Sequence, residues 1–340
     1  MESILGIDVG THSIKLIEIA QEKNIRTLLS AGSMPTPSKA LSSTLTADFE
    51  AIAYVIKQLV KETGAKSDKV NIALPESQVF TRVIEVPQLS NRELTSAIQW
   101  EAEQYIPLPL DQVNMDFTIL RDAKTTANGK MEVLLIAAPK ALIERYMTIL
   151  ELADLVPAFA ETEIIASARA IAASVSMVKN VMLVSIGAQT TDMTILHGGV
   201  IAFTRSISAG GEALSRALSQ SLDFTVVQAE EYKKTYGLQK ELLEGKLIVA
   251  MEPIMATIMN EIKRAIAFFG EKYANERIEA IVLSGGSAKL PGIVSFMTES
   301  VNIETQLANP WIGIQKEARF AVLSAEGPLF AVAVGLAIRS

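Results

Sequence analysis

Two short stretches of this chain carry the residue types that grip phosphate. The first is Asp8-Val9-Gly10-Thr11-His12-Ser13-Ile14-Lys15, which joins two apolar runs that read as strands. Gly10 lets the backbone approach an anion closely. Thr11 and Ser13 offer hydroxyls beside backbone N–H groups, and Lys15 can supply positive charge. Asp8 can hold a metal ion through water, the arrangement Mg²⁺ prefers. The second stretch is Gly187-Ala188-Gln189-Thr190-Thr191-Asp192, where small residues and hydroxyls again ring a turn between strands. Two further glycine sites follow. Ala209-Gly210-Gly211 precedes a helical pattern, whose N-terminus favours anions. Ser284-Gly285-Gly286-Ser287 follows an apolar strand and offers a flat backbone surface to a purine. The sequence has neither a GxxxxGK[ST] loop nor a GxGxxG fingerprint. Phosphoryl binding therefore has to come from hairpins that face each other.

The elements around these stretches repeat. Residues 1–9, 13–20 and 25–31 read as a β-meander, followed by a helix over 49–62 and a buried strand over 70–74. Strands over 181–186, 192–196 and 200–206 begin the pattern again, with the Gly198-Gly199 hairpin between the last two. A helix over 211–221 follows, then helices over 226–236 and 253–273, a strand over 278–284, and a helix opened by Pro291. Leu5-Gly6-Ile7-Asp8-Val9-Gly10-Thr11 aligns with Met182-Leu183-Val184-Ser185-Ile186-Gly187-Ala188, an internal repeat of roughly 180 residues. Two such units facing one another enclose a ligand between them. An insert over 84–155 carries a helix at 91–105, strands at 114–120 and 131–138, and a helix at 140–152. The expected division is a first lobe of residues 1–83, 156–180 and 329–340, the insert, and a second lobe of 181–328. The helical part of the second lobe, about 212–275, is expected to contact the nucleotide.

Composition narrows the function classes. About half of the 340 residues are hydrophobic and 20% are charged, so a folded chain with sizeable cores is expected. There is no cysteine, which excludes disulfides and thiolate metal sites. His12 and His197 are the only histidines, so histidine-rich metal sites are improbable; His197 reads as the end of a strand beside a glycine turn. A net charge of −7 argues against a nucleic-acid partner. The apolar stretch from Leu329 to Ile338 is too short to span a bilayer, and the start shows no leader pattern. A cytoplasmic protein that meets a membrane only through a partner is the expectation.

These motifs resemble the superfamily of actin, Hsp70 and the sugar kinases. Residues 8–15 look like its first phosphate loop, 187–192 like its second, and 283–292 like its adenosine motif. Residues 163–168 and 331–337 resemble its two connecting helices. The resemblance implies an α/β fold of the actin-like, ribonuclease H-like kind: two duplicated βββαβα lobes with an inserted α/β subdomain. It implies ATP and Mg²⁺ as ligands. It also places Glu230 and Lys233 at the ribose and base, and Glu163 where relatives orient an attacking water. Within the insert, Glu93-Leu94-Thr95-Ser96-Ala97-Ile98-Gln99-Trp100-Glu101-Ala102-Glu103-Gln104-Tyr105-Ile106-Pro107 resembles the PilM family of type IV pilus assembly proteins, as does Gly6–Gly10 with Ile14–Leu16. That family implies a cytoplasmic ATP-binding scaffold, related to the division protein FtsA. It docks the N-terminal tail of the inner-membrane partner PilN in a groove beside the insert.

One departure stands out. The family's second loop opens with an aspartate before the Ile-Gly pair, and this chain has Ser185 there. A carboxylate for a hydrated cation is missing at that position, while Asp192 remains as a metal candidate. ATP binding with slow or negligible turnover is therefore expected.

In the insert helix, Ser90 to Glu93 reads as a capping box, and Leu94, Ala97, Ile98, Ala102 and Tyr105 share an inward face. Trp100 points away from that face. It is a candidate partner contact, with packing against a neighbouring strand as the alternative. The chain ends soon after the presumed last helix, without the basic amphipathic tail expected of an FtsA-like protein. An FtsA-like polymerising division protein is the alternative reading. A small-molecule kinase is a third, without a convincing aspartate base. Self-association and contacts with other pilus assembly components are also expected partners.

Overall fold

The computed structural model describes residues 3–339 apart from 24, 38–40, 42, 44, 127 and 275. Met1 and Glu2, expected at the start of the first strand, lie outside the described residues. In chain order the elements begin with β1 (Ser3–Val9), β2 (Ser13–Glu22), β3 (Ile25–Pro35), α1 (Thr46–Thr63) and β4 (Lys69–Leu74). The insert region follows as β5 (Phe80–Val86), α2 (Asn91–Tyr105), β6 (Val113–Arg121), β7 (Met131–Pro139) and α3 (Lys140–Leu152). The chain then returns through β8 (Val156–Thr162) and α4 (Glu163–Ile171). The second half holds β9 (Asn180–Ile186), β10 (Thr191–His197), β11 (Val200–Ile207), α5 (Gly211–Leu222), α6 (Val226–Tyr236) and α7 (Lys246–Lys272). It closes with β12 (Ala280–Ser284), α8 (Ile293–Val301), β13 (Glu304–Leu307), β14 (Ile314–Gln315) and α9 (Gly327–Ala337).

The duplication is visible in the sheets. One runs β14-β3-β2-β1-β4-β8 and the other β11-β10-β9-β12-β13. Each has an antiparallel meander of three strands, then two strands added in parallel: β4 and β8 in the first, β12 and β13 in the second. This is the actin-like pair of lobes. The central strands β1 and β9 are apolar along almost their whole length, because both of their faces are covered.

The lobes are joined by α4 and α9, which pack against each other with very small residues at the contact. A Cβ on Gly335 of α9 would lie 1.9 Å from the Ala166 carbonyl oxygen of α4, so no other residue fits there. Residues 318–337 are apolar enough by composition for a membrane span, yet α9 is buried against Ile17, Ile19 and Leu28. Its apolarity is that of a core helix.

Several elements differ from the sequence reading. The insert sheet, β5-β7-β6, starts at Phe80, four residues before the expected boundary at Ile84. Helix α3, expected within the insert, sends Leu142, Tyr146, Ile149 and Leu150 into the core of the first lobe beside Ile7, Leu16 and Ile56. The other face of the insert sheet lies on the second lobe, where Leu134 joins Val181, Leu183 and Val282. Helix α7 begins at Lys246 rather than at Pro253, which sits inside it.

Candidate functional site

The two glycine hairpins have the same backbone. In the first, the Gly10 N–H donates to the Ser13 carbonyl over 3.2 Å; in the second, the Gly187 N–H donates to the Thr190 carbonyl over 2.9 Å. The last strand pairs before the turns, Val9 with Ile14 and Ile186 with Thr191, also correspond. Both turns open into one cleft of about 1410 Å³ between the lobes. That volume accommodates a nucleotide-sized ligand with room to spare.

Most of the expected residues come together on its walls. Asp8, Gly10, Thr11, Ser13 and Lys15 line it from the first lobe. Gly187, Ala188, Gln189, Thr190, Asp192 and Gly211 line it from the second. Glu230, Lys233, Gly285, Gly286 and Ser287 form the remaining wall, and Glu163 lies at the floor.

Gly210 is the exception. It lies behind the second hairpin, where a Cβ would sit 2.8 Å from the carbonyl oxygens of both Gly187 and Ala188. Its place is to let α5 start against the hairpin, with the Gly211 and Glu212 N–H groups donating to those same carbonyls over 2.9 and 2.8 Å. Gly285 adopts φ +83°, in the left-handed region, directly against Ile186 of β9. The turn after β12 is thereby pressed onto the root of the second hairpin.

Lys15 carries its positive charge into the cleft wall already paired. Its Nζ is buried, 3.0 Å from Asp8 Oδ2 and 3.3 Å from the Ser13 carbonyl oxygen. The first hairpin thus balances its own carboxylate. In the second, the register pairs Ser185 with Asp192 across the strands, and no cation matches Lys15. Asp192 accepts one long bond from Thr190 (3.3 Å) on Oδ2, while its buried Oδ1 has no partner. Burial pushes the Asp192 carboxyl up to about 6. The nearby Ser206 and Thr190 hydroxyls offset part of this.

Two more carboxyls lie close to Asp192: Glu163 on the floor and Glu76 buried beside it. Burial, then the charges of Asp192 and Asp8, push Glu163 well above the ordinary carboxylate range. Its Oε2 accepts the Glu76 N–H over 3.3 Å. Glu76 itself is buried and pushed up to about 8, with the nearby hydroxyls of Thr81 and Thr162 unable to offset its desolvation. Glu76 escaped the sequence reading; the one signal for it is the strand-ending Pro75 before it. Asp8 and Asp192 with the Lys15 ammonium make a floor that gains from added positive charge. Among the described residues no three acidic or histidine side chains are arranged to hold a metal ion by themselves. The donor set therefore fits a hydrated cation anchored in part by its ligand's phosphates.

On the remaining wall, Lys233 is buried and donates to the Gly211 carbonyl (2.7 Å), Ser215 (2.8 Å) and Glu230 (2.6 Å). Burial would raise the Glu230 carboxyl, but bonds from Lys233 and Ser215 hold it at about 2. It is a fixed, charged acceptor suited to sugar hydroxyls.

In the insert, α2 carries the expected capping box: Glu93 N–H to Ser90 Oγ, and Ser90 N–H to Glu93 Oε2. Leu94, Ile98 and Ala102 are buried inward. Trp100 is 74% exposed, so the packing alternative does not hold. It lies outside the cleft. His197 ends β10, with Nδ1 2.6 Å from Asn180 Oδ1.

A family model described as type IV pilus assembly protein PilM matches residues 6–340. A solved PilM–PilN type IV pilus biogenesis complex contains a chain 29% identical to this one. The match covers 99% of this chain and 98% of that one, with a TM-score of 0.87. The cell division protein FtsA of Streptococcus pneumoniae is 23% identical over 94% of this chain and 78% of its own length. MreB5 of Spiroplasma citri, solved bound to AMPPNP, is 13% identical over 98% of this chain and 95% of its own, with a TM-score of 0.54.

Proposed function

Because the chain belongs to the type IV pilus assembly protein PilM family, we propose that it is an ATP-binding scaffold of the pilus machinery that docks the N-terminal tail of an inner-membrane PilN-type protein. The observation that carries the nucleotide half of this reading is the pair of matched glycine hairpins opening into one cleft. Backbone N–H groups around Gly10 and Gly187 take the phosphates, as nests of amides do. Glu230, fixed by Lys233, accepts from the ribose hydroxyls, and the Gly285–Ser287 turn supports the base. Asp8 and Asp192 would hold a hydrated Mg²⁺, which would offset the negative charge of the phosphates.

Turnover is slow in this reading. Ser185 leaves the second hairpin one carboxylate short of the family pattern.

The docking half rests on similarity to the chain in the PilM–PilN complex and on Trp100. The protein then works on the cytoplasmic side of the inner membrane, held there by its partner and touching other assembly components. The likeness to the cell division protein FtsA keeps an FtsA-like polymerising division protein as the second reading.

The test is binding of the host's PilN-type N-terminal peptide to the full chain, with and without Mg·ATP. Micromolar binding is expected, weakened at least tenfold in Trp100→Ala, since exposed aromatic anchors commonly contribute 1–2 kcal/mol or more. No peptide binding in either condition contradicts the docking role. Unchanged binding in the variant moves the groove away from Trp100.

A further inference from the structure

One polar group on the cleft wall has no part in the reading above. Tyr146 lies in the middle of α3, packed among Leu5, Ile7, Ile56 and Leu142 of the first-lobe core, and is only 3% exposed. It nevertheless lines the cleft together with Asp8 and Glu163. Its hydroxyl makes no hydrogen bond among the described residues. A buried phenol normally finds a partner, and a phenylalanine would fill an apolar site equally well. An unpaired hydroxyl beside an open cleft is a donor awaiting an acceptor.

The surroundings say which acceptor. Burial, then the negative charge of Glu163 and Asp8, push the ionisation of Tyr146 upward, so it stays a neutral donor. Its neighbour Arg145 has an N–H committed to the Leu41 carbonyl at 3.0 Å. The wall that suits a nucleoside, with Glu230, Lys233 and Gly285, is built on the second lobe, beside the second hairpin. Tyr146 stands on the opposite wall, next to the first hairpin's Asp8. A ligand laid from one wall to the other, with phosphates between the hairpins, ends its phosphate chain at Tyr146.

We propose that the Tyr146 hydroxyl donates to a terminal phosphoryl oxygen of a bound nucleoside triphosphate and makes this site distinguish triphosphate from diphosphate. This rests on the nucleotide reading of the cleft. Because α3 starts where β7 ends, the contact is made at the root of the insert.

The test uses the purified full chain and measures Kd for Mg·ATP and Mg·ADP in wild type and Tyr146→Phe. The wild type is expected to prefer ATP. The variant should lose about tenfold in ATP affinity, the usual weight of a bond to a charged acceptor, with ADP affinity unchanged. Retained ADP binding also reports that the variant is folded. Tyr146→Met, apolar and flexible, should show the same selective loss. An equal loss for both nucleotides, or none, overturns the proposal and leaves Tyr146 a packing residue. A wild type that binds neither nucleotide removes the cleft reading itself, and this proposal with it.

Discussion

The first and second hairpins share a backbone and differ in charge. Asp8 and Lys15 face each other across β1 and β2; Ser185 and Asp192 occupy the same places across β9 and β10. The first pair closes an ion pair of 3.0 Å. The second leaves a buried carboxylate with an unpartnered oxygen. Duplication thus preserved the backbone of the turn and let the side chains diverge. One hairpin is neutral by itself. The other is complete only when positive charge arrives from outside, and leaving it without a partner costs roughly 1–3 kcal/mol.

The largest effect expected from this comparison comes from what the hairpins share. A Cβ at Gly10 would sit 3.0 Å from the Ser13 carbonyl oxygen, and one at Gly187 3.3 Å from that of Thr190. Gly10→Val and Gly187→Val should each lower ATP affinity by about a hundredfold, near 3 kcal/mol, while circular dichroism still reports a folded chain. Full affinity in either variant would break the equivalence of the two turns.

Next in size is a stability effect from Glu76, a first-lobe residue that faces Asp192 of the second. Its carboxyl rises from 4.5 to about 8 on folding. The neutral form is therefore the folded form, and its contribution is fully present below pH 4.5. Between pH 4.5 and 8 the unfolded chain ionises while the folded one does not, so stability falls through that window. Glu76→Gln should be more stable than wild type by about 2 kcal/mol at pH 6 and nearly equal at pH 4.5, read from denaturant unfolding. A pH-independent difference would mean that Glu76 is not held neutral.

The smallest effects separate the two hairpins directly. Asp192→Asn should cost about tenfold in Mg²⁺-dependent ATP affinity, more than Asp8→Asn, because Asp8 already has Lys15. Ser185→Asp should tighten the Mg²⁺-dependent affinity a few-fold. Titrations with and without chelator measure both. A larger loss at Asp8 reverses the assignment.

The duplicated frame was legible in the sequence because glycine turns recur at matched places inside apolar runs. The cleft residues followed from it. The ion pair was not read, although Asp8 and Lys15 are opposite each other once the four-residue turn is counted. What stayed hidden were features set by tertiary contact. Strand β8, with Val156-Pro157-Ala158, shows no alternating pattern, because it is an edge strand exposed along most of its length. Pro253 reads as a helix start, whereas α7 carries it inside. Gly210 looks like an anion site until the hairpin behind it is seen. Tyr146 shares a helix face with Leu142, Ile149 and Leu150 and therefore reads as core.

The most direct test of the central claim is a structure of the full chain with Mg²⁺ and a non-hydrolysable ATP analogue. The account predicts phosphate oxygens within hydrogen-bond distance of backbone N–H groups in both turns, residues 10–13 and 187–190, with the base against Gly285 and Gly286. A nucleotide touching only one turn, or bound outside this cleft, would contradict it.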